Sequence, residues 1–461
     1  MAPPPPPATA TMAAATDHDD PHDERSSALS STRLLVATPS HAQRSSVVVV
    51  GLGLIGSAAI RYLSAAFGSS VLAIGPPEPS VSWETYSGPF SSHYDQGRLA
   101  RIADPDPVWA ALAARSMARY RALEQASGIR FHEPVGSIRV SPLHDNSLYR
   151  SFEVARRHGA EQELFEFHDM LQDRFPCFQF QTGDAAIMER GEAGFINPRN
   201  LVAAQLAMAE KNGARIVRES VTEIVPMGSG VCISTDKGRS VLARKVLVCA
   251  GSYSKFLLPG DAKHLDMTTH ARTVLLAEVD AREAVRLRDM PTFIWHLPKN
   301  PYLNWVYGCP PVEYPDGRVA MKVGGTAWKA ADVGNSVEDL SAWFKSGGDE
   351  VEQKVLEEVL LQQLMPGLRT LSLSRKPCVV SFTAHGRPYI DAVDGDRCLS
   401  TARVFVATGG CGAAAKSSDE IGRLAALMVV HGRWPSSDMD SSAFRAVYAR
   451  KGKTQSSFSS P

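Results

Sequence analysis

Ser46-Val47-Val48-Val49-Val50-Gly51-Leu52-Gly53-Leu54-Ile55-Gly56-Ser57-Ala58-Ala59-Ile60 reads as a strand, a glycine turn and the start of a helix. Four consecutive valines form a buried strand. The three glycines follow in Gly-x-Gly-x-x-Gly spacing, and an apolar helix is predicted over 57–67. Gly51 permits the tight turn, Gly53 lets the backbone approach a pyrophosphate, and Gly56 lets the helix pack on the strand. The helix N-terminus then faces the phosphates. A further strand is predicted at Val71–Ile74, which sets the motif in a dinucleotide-binding context rather than a bland strand-turn-helix.

The second strand of such a fold usually ends in an acid that contacts the ribose. Here Val71-Leu72-Ala73-Ile74 runs into Gly75-Pro76-Pro77-Glu78. Gly75 takes the acid position without a carboxylate, and Glu78 is the nearest substitute, displaced into the loop. The cofactor is therefore decided elsewhere in the chain.

A length of 461 residues suits two interleaved domains with substantial cores. Lysine plus arginine and aspartate plus glutamate both total 49, so the formal net charge is zero. That balance argues against a nucleic-acid or membrane-surface binder. No apolar run reaches the ~18 residues of a membrane span. Cys177, Cys232, Cys249, Cys309, Cys378, Cys398 and Cys411 are scattered, with no Cys-x-x-Cys. They read as reduced intracellular thiols, with no disulfide framework and no zinc site. Residues 1–45 hold a polyproline tract (3–7) and an acidic block (17–24) without helical or strand period, and are expected to be disordered. The Ser- and Arg-rich part of that segment is faintly like an organellar targeting sequence, which the acidic block opposes. The C-terminal residues differ from the Ser-Lys-Leu peroxisomal address. The expected location is cytoplasmic, with organellar import left open.

Helices are predicted over 108–125, 151–170, 198–211, 351–365 and 417–430. The 198–211 helix has Asn197 as N-cap and Pro198 at its first position. A hairpin is expected across Val231–Ser234 and Val241–Val248, turning at Asp236–Gly238. Between 270 and 330, strand-like runs alternate with turns, as in an antiparallel sheet of a second domain. Val404–Thr408 is a strand ending in Gly409 and Gly410, so dinucleotide-type segments stand at the start, middle and end of the chain. A simple NAD domain is contiguous, and the interrupted layout suits an FAD enzyme better.

From Ser46 to about Val430 the chain resembles the glycine/D-amino-acid oxidase family of flavoenzymes, most closely its sarcosine oxidase and N-methyl-amino-acid oxidase branch. Ser92-His93-Tyr94-Asp95-Gln96-Gly97-Arg98-Leu99-Ala100-Arg101 is similar to the family's Ser-His-x-x-Asp-x-x-Arg-x-x-Arg loop. The resemblance implies that Ser92, His93 and Arg98 lie at the flavin and that Arg101 grips the substrate carboxylate with two parallel hydrogen bonds. On spacing alone these are two surface arginines on a solvated loop. Tyr307-Gly308-Cys309-Pro310 resembles a turn that sets a tyrosine over the substrate pocket, against the alternative of a core tyrosine at a strand end.

Lys322 aligns with a lysine that promotes oxygen reduction in the family, as a fixed positive charge beside developing negative charge. Otherwise it is a snorkelling strand lysine. The family's histidine a few residues on is replaced by Thr326. Cys378 occupies the position of a cysteine that binds the flavin covalently as a thioether. Arg375 and Lys376 offer nearby charge to favour the thiolate. Val380 replaces a family aromatic, and an inert buried cysteine is the alternative. Thr408-Gly409-Gly410-Cys411-Gly412 resembles the closing glycine motif, whose N–H groups hold the flavin pyrimidine edge. Lys416, slightly beyond the usual lysine, is a second hold on the carboxylate or a first-turn surface lysine.

These features imply an α/β fold: a discontinuous Rossmann-like FAD-binding domain (46–105, 190–265 and 380–435) and an α+β substrate domain on an antiparallel sheet (106–189 and 266–379). A C-terminal tail follows (436–461). The expected cofactor is FAD, bound covalently through Cys378 or held by contacts alone, on Gly51, Gly53, Gly56, Glu78, Ser92, His93, Arg98, Gly409, Gly410 and Gly412. The expected catalytic set is Arg101, Tyr307, Lys322 and Lys416. The implied reaction is oxidation of the C–N bond of a small secondary or N-methyl amino acid, with O2 as partner and H2O2 as product. A dehydrogenase with a quinone or protein acceptor, and a flavin-binding protein without turnover, are the alternatives. No nucleic-acid partner is expected, and oligomeric state is left open.

Overall fold

The computed structural model describes residues 43–79, 85–86, 88–394, 398–436 and 438–449. Most of the N-terminal segment and the end of the C-terminal tail named above lie outside these. The four valines form the second half of Gln43–Val50, a central strand of an eight-stranded sheet. It pairs in parallel with Val71–Ile74 on one side and Ser240–Val248 on the other. Val71–Ile74 in turn pairs in parallel with Arg215–Val217. The sheet forks at Ser240–Val248. Its first half takes the antiparallel hairpin strand Gly230–Thr235, and its last three residues take Val404–Thr408 in parallel. Val47 and Val49 face one core and Val48 and Val50 another, so the strand is apolar at every position.

Leu54–Phe67 begins three residues earlier than its apolar pattern predicts, and Ala414–His431 likewise. These two helices pack on one another, and Pro198–Lys211, capped by Asn197 Oδ1 to the Asn200 N–H at 3.1 Å, packs beside the first. Gly56 is obligatory: a Cβ there would stand 1.9 Å from the Gly51 carbonyl oxygen.

A second eight-stranded sheet runs in the order Ser372–Thr383, Met267–Glu278, Val319–Ala327, Leu303–Glu313, Thr292–His296, Ser137–Pro142, Asp184–Glu189, Gln162–Phe165. It is not wholly antiparallel, because Thr292–His296 and Ser137–Pro142 run side by side. Its core gathers Phe178, Phe293, Trp295 and Leu303 under the helix Glu350–Glu358. That helix continues as a π-helical turn, Val359–Leu364, which buries Val359, Leu360 and Leu364.

Two expected helices are broken. Residues 108–125 form Pro107–Met117 and Tyr120–Ser127, and the break buries Tyr120 and brings Arg119 to Asp419 and Glu420. Residues 151–170 form the end of Asn146–Arg157, the strand Gln162–Phe165 and the start of His168–Arg174. Gly159 at φ +74° ends the first helix, because left-handed backbone is cheap only for glycine.

Candidate active site

One cavity of about 1280 Å³ runs from the glycine turn at Gly51 to Trp305 on the second sheet. That exceeds the ~300–1,000 Å³ usual for a single small ligand. It leaves room for a cofactor and a substrate together.

At the first end, Gly51 has φ +101°, and a Cβ would meet the Cys249 carbonyl oxygen at 2.5 Å. Gly53 caps Leu54–Phe67 without a side-chain acceptor, and the first turn carries no acid. The N–H groups and positive dipole end of that helix are therefore left for an anion. Gly75, at the expected acid position, lies so close to Leu52 that a Cβ would stand 2.8 Å from the Leu52 nitrogen. Glu78 lines the cavity but accepts two hydrogen bonds from Arg199 Nε at 2.8 and 3.0 Å. These features fit a dinucleotide cofactor.

The Ser92–Arg101 loop lies along the cavity. Ser91 Oγ and His93 Nδ1 are 2.6 Å apart, and both stand beside Gly53. Burial, reinforced by Arg199, lowers the His93 pKa to about 3, so the ring is neutral at physiological pH. Ser92 contributes its carbonyl, which accepts from Arg98 Nη2 at 2.8 Å. Arg98 also bonds Asp95 and comes within 3.9 Å of Cys378 Sγ. Asp95, whose neighbours Arg98 and Lys322 hold its carboxyl far below the usual range despite burial, is the pivot of this group. Lys322 Nζ donates to Asp95 Oδ2 at 2.9 Å and to the Gly97 carbonyl, and is 0% exposed. A lysine so placed is no snorkelling side chain; it is a fixed internal cation.

Cys378 sits half-buried on Ser372–Thr383, opposite Arg272 in the ladder. Arg375 turns away to Glu350 and Gln353, so it supplies the thiol no charge. Arg98 is the guanidinium beside the sulfur. Tyr307 stands opposite Gly324, and a Cβ there would lie 2.4 Å from the phenol ring, so the glycine makes room for it. Burial raises the Tyr307 pKa, and the phenol stays protonated.

Gly409 at φ +83° and Gly412 at φ +76° flank Cys411, itself left-handed at φ +46°. This turn brings the chain from Val404–Thr408 into the final helix, with Gly410 also against the cavity. It places Lys416 inside the first turn of that helix, 3% exposed. Lys416 Nζ donates to Asp104 Oδ2 at 3.1 Å. Arg101 Nη1 stands 3.6 Å from the same oxygen and has no hydrogen-bond acceptor. Burial, then repulsion from Arg101, lowers the Lys416 pKa to about 8. Arg101 and Lys416, 315 residues apart in sequence, thus meet on one carboxylate. Behind them Glu189 accepts from the Ile102 and Ala103 N–H groups at 2.7 Å each.

Sequence reading missed Asp95's pivotal role, Asp104, Arg139 and Trp305. Asp104 follows Arg101 by three residues, which is a usable signal. Arg139, between Ile138 and Val140 in a strand, shows only as a charge within an apolar run. Among the described residues, no group of three or more His, Cys, Asp or Glu could hold a metal, and no helix is long and apolar enough to cross a membrane.

The FAD dependent oxidoreductase family model matches residues 46–428. Monomeric sarcosine oxidase of Streptomyces avermitilis is 26% identical over 274 residues, covering 59% of this chain and 67% of the relative. N-methyl-L-tryptophan oxidase of Escherichia coli is 24% identical over 284 residues, 60% and 69% of the two chains. In fold, a mutant of NikD, an unusual amino acid oxidase essential for nikkomycin biosynthesis, superposes with a TM-score of 0.70 at 17% identity. That match covers 90% of this chain and 100% of the other. With the match spanning the glycine turn, the cavity and the closing glycine motif, the chain belongs to the FAD-dependent oxidoreductase family, and FAD is its cofactor.

Proposed function

We propose that this protein oxidises the C–N bond of a small secondary or N-methyl amino acid, with O2 as acceptor. The observation that carries this reading is the meeting of Arg101 and Lys416 on Asp104 within the cofactor's cavity. Buried Lys416 and half-buried Arg101 share one carboxylate, and with an Arg101 N–H left free they suit a second carboxylate from the substrate. The curated relatives act on sarcosine and N-methyl-L-tryptophan by name. Both substrates are N-methyl amino acids.

FAD, when bound, supplies the two-electron acceptor for the amine's C–H hydride and returns those electrons to O2 as hydrogen peroxide. Gly51, Gly53, Gly56 and the Leu54–Phe67 N-terminus would hold its pyrophosphate, and Glu78 lies on the ribose side. Ser92, His93, Arg98, Gly409, Gly410 and Gly412 would hold its ring system. Segments 46–105, 190–265 and 380–435 form the cofactor domain in this reading, and 106–189 and 266–379 the substrate domain. Arg101 and Lys416 bind and orient the substrate carboxylate, and Tyr307 closes the pocket over it. Lys322, held in place by Asp95, favours negative charge developing on oxygen. No side chain here need act as a strong base, because an amine that binds neutral gives up hydride directly. Cys378 is the position for a thioether to the cofactor, with the Arg98 guanidinium 3.9 Å from its sulfur.

Oxygen consumption and peroxide release by the purified holoprotein, over a panel of N-methyl amino acids, test the reading. Turnover with peroxide supports it, and flavin reduction without oxygen uptake would replace O2 by another acceptor. Acid precipitation tests Cys378: flavin colour retained in the pellet and lost in Cys378→Ala supports the thioether, and colour released to the supernatant removes it.

A further inference from the structure

Arg139 lies on Ser137–Pro142, in the wall of the same cavity, and is 6% exposed. Its guanidinium stands over the Trp305 ring, 4.6 Å from the centroid. Trp305 is stacked in turn on His296 at 4.1 Å. His296 is committed elsewhere, to Asp145 Oδ2 and Asn304 Oδ1 at 3.0 Å each. Of the five N–H donors of a guanidinium, one of Arg139's reaches Ser147 Oγ at a long 3.3 Å, and Nε has no acceptor. No carboxylate among the described residues forms an ion pair with it. Asp104 and Asp145 favour its charge only from a distance, and burial with the nearby Arg101 lowers its pKa to about 10. The group is still a cation at neutral pH.

A buried guanidinium held by one weak hydrogen bond and an aromatic face is costly. A methionine would fill the same volume without that cost. Most other cations of the cavity are matched: Lys322 and Arg98 by Asp95, Lys416 and Arg101 by Asp104, and Arg199 by Glu78. Buried Arg272 donates only to the Ala271 carbonyl, and exposed Arg218 forms no ion pair among the described residues. Asp106, also on the wall, is taken by Arg387 at 2.8 Å. Arg139 and Arg272 are both buried in the wall without an ion pair among the described residues, and of the two Arg139 is the one near Arg101.

We propose that Arg139, backed by Trp305, binds a second anionic group of the substrate, so that the preferred substrate is a dicarboxylic secondary amino acid with one carboxylate at Arg101 and Lys416 and the other at Arg139. This deepens the proposed function and rests on it for the amine. Specificity comes from the difference. A substrate with a neutral side chain leaves the guanidinium buried and unpaired, and one with a carboxylate satisfies it. Thr326, opposite Trp305 in the ladder, keeps that corner free of a further bulky side chain.

The test uses amine-free acids, so that binding is read without turnover. Calorimetric titration of the holoprotein with malonate, succinate and glutarate, each against the monoacid of equal chain length, gives the value of the second carboxylate. The expected result is that at least one diacid binds about 10–100-fold more tightly than its monoacid, the range of one charge-assisted hydrogen-bonded contact. Arg139→Met removes that advantage and leaves monoacid affinity within about twofold; Arg139→Lys keeps part of it. Equal affinity for diacids and monoacids in the wild-type protein overturns the proposal, whether or not the variants fold. Equal weakening of both by Arg139→Met overturns it too, since Arg139 would then serve the first carboxylate. Oxidation of N-methylaspartate against sarcosine separates the two levels. Diacid preference without any amine oxidation breaks the functional reading alone. Efficient sarcosine oxidation without diacid preference breaks this one alone.

Discussion

Lys416 and Asp419 lie three residues apart on the final helix, both buried, and they stand in opposite electrostatic settings. Asp419 accepts from Arg61 Nη2 and Arg119 Nε at 2.6 Å, from Gln205 Nε2 at 2.9 Å and from Tyr62 Oη at 3.1 Å. Its neighbour Glu420 accepts from Arg119 at 2.6 Å and from Arg423 at 2.7 Å. The arginines keep part of their surface in water, and the carboxylates have none. Asp419 accepts four hydrogen bonds and Glu420 three, with Arg115 a further ion-pair contact, so this cluster is committed to tying the final helix to Leu54–Phe67 and to the start of Tyr120–Ser127. One turn earlier, Lys416, Arg101 and Arg139 share the cavity wall with Asp104, and two of the three guanidinium and ammonium groups have donors to spare. Saturated buried charge holds a fold together; under-satisfied buried charge, open to a cavity, is a binding site in waiting.

Substitutions sharpen that contrast. The largest effect is expected at the saturated cluster. Asp419→Ala strips Arg61 of its carboxylate and Arg119 of one of its two, and should cost about 3–5 kcal/mol, read by urea unfolding. A loss below 1 kcal/mol would mean that solvent already screens the cluster. Arg101→Ala should do the reverse, lowering kcat/KM by an amount worth about 2–5 kcal/mol, mostly in KM. Its unfolding midpoint and visible flavin spectrum should stay near wild type. Loss of flavin with unchanged KM would remove Arg101 from the carboxylate site. Lys322→Met should slow reaction of the reduced protein with O2 by roughly 10²–10³-fold while substrate reduces the flavin at an unchanged rate, a split that rapid mixing resolves.

Acidity separates the two clusters as well. Lys416 must be charged to hold a carboxylate, and its pKa is lowered to about 8. The inhibition constant of acetate, which has no amine to titrate, should therefore rise as pH passes 8 and be flat below it. Asp419 has its pKa lowered, so its contribution to stability is fully present above the unfolded carboxylate value and is lost as pH falls through the lower, folded one. A stability loss confined to alkaline pH would contradict that assignment.

The parts legible in the sequence are those written in contiguous residues. The Val47–Val50 run and three glycines specify strand, turn and helix locally, and the Asn197-Pro198 start fixes a helix boundary to the residue. The Ser92–Arg101 loop stands out in the sequence as one unit, and Asp95 binds Arg98 only three residues away within it. What failed depends on distant partners. The strand Ser372–Thr383 carries Arg375, Lys376 and Pro377 and has no apolar alternation; its pairing with Met267–Glu278 makes it a strand. Amphipathic spacing over 151–170 suggested one helix, and a single left-handed glycine divides it. Arg139 was invisible as a site residue, since only the closed cavity shows that its guanidinium lacks a carboxylate.

Anaerobic mixing of the holoprotein with an N-methyl amino acid, and with the corresponding amine lacking the carboxylate, tests the central claim most directly, because it needs no assumption about the final acceptor. Rapid bleaching of the visible flavin band by the amino acid, and little by the amine, is the predicted result. Equal bleaching by both, or none with any amino acid offered, would contradict the assignment of Arg101 and Lys416 as the carboxylate hold of an amino-acid-oxidising enzyme.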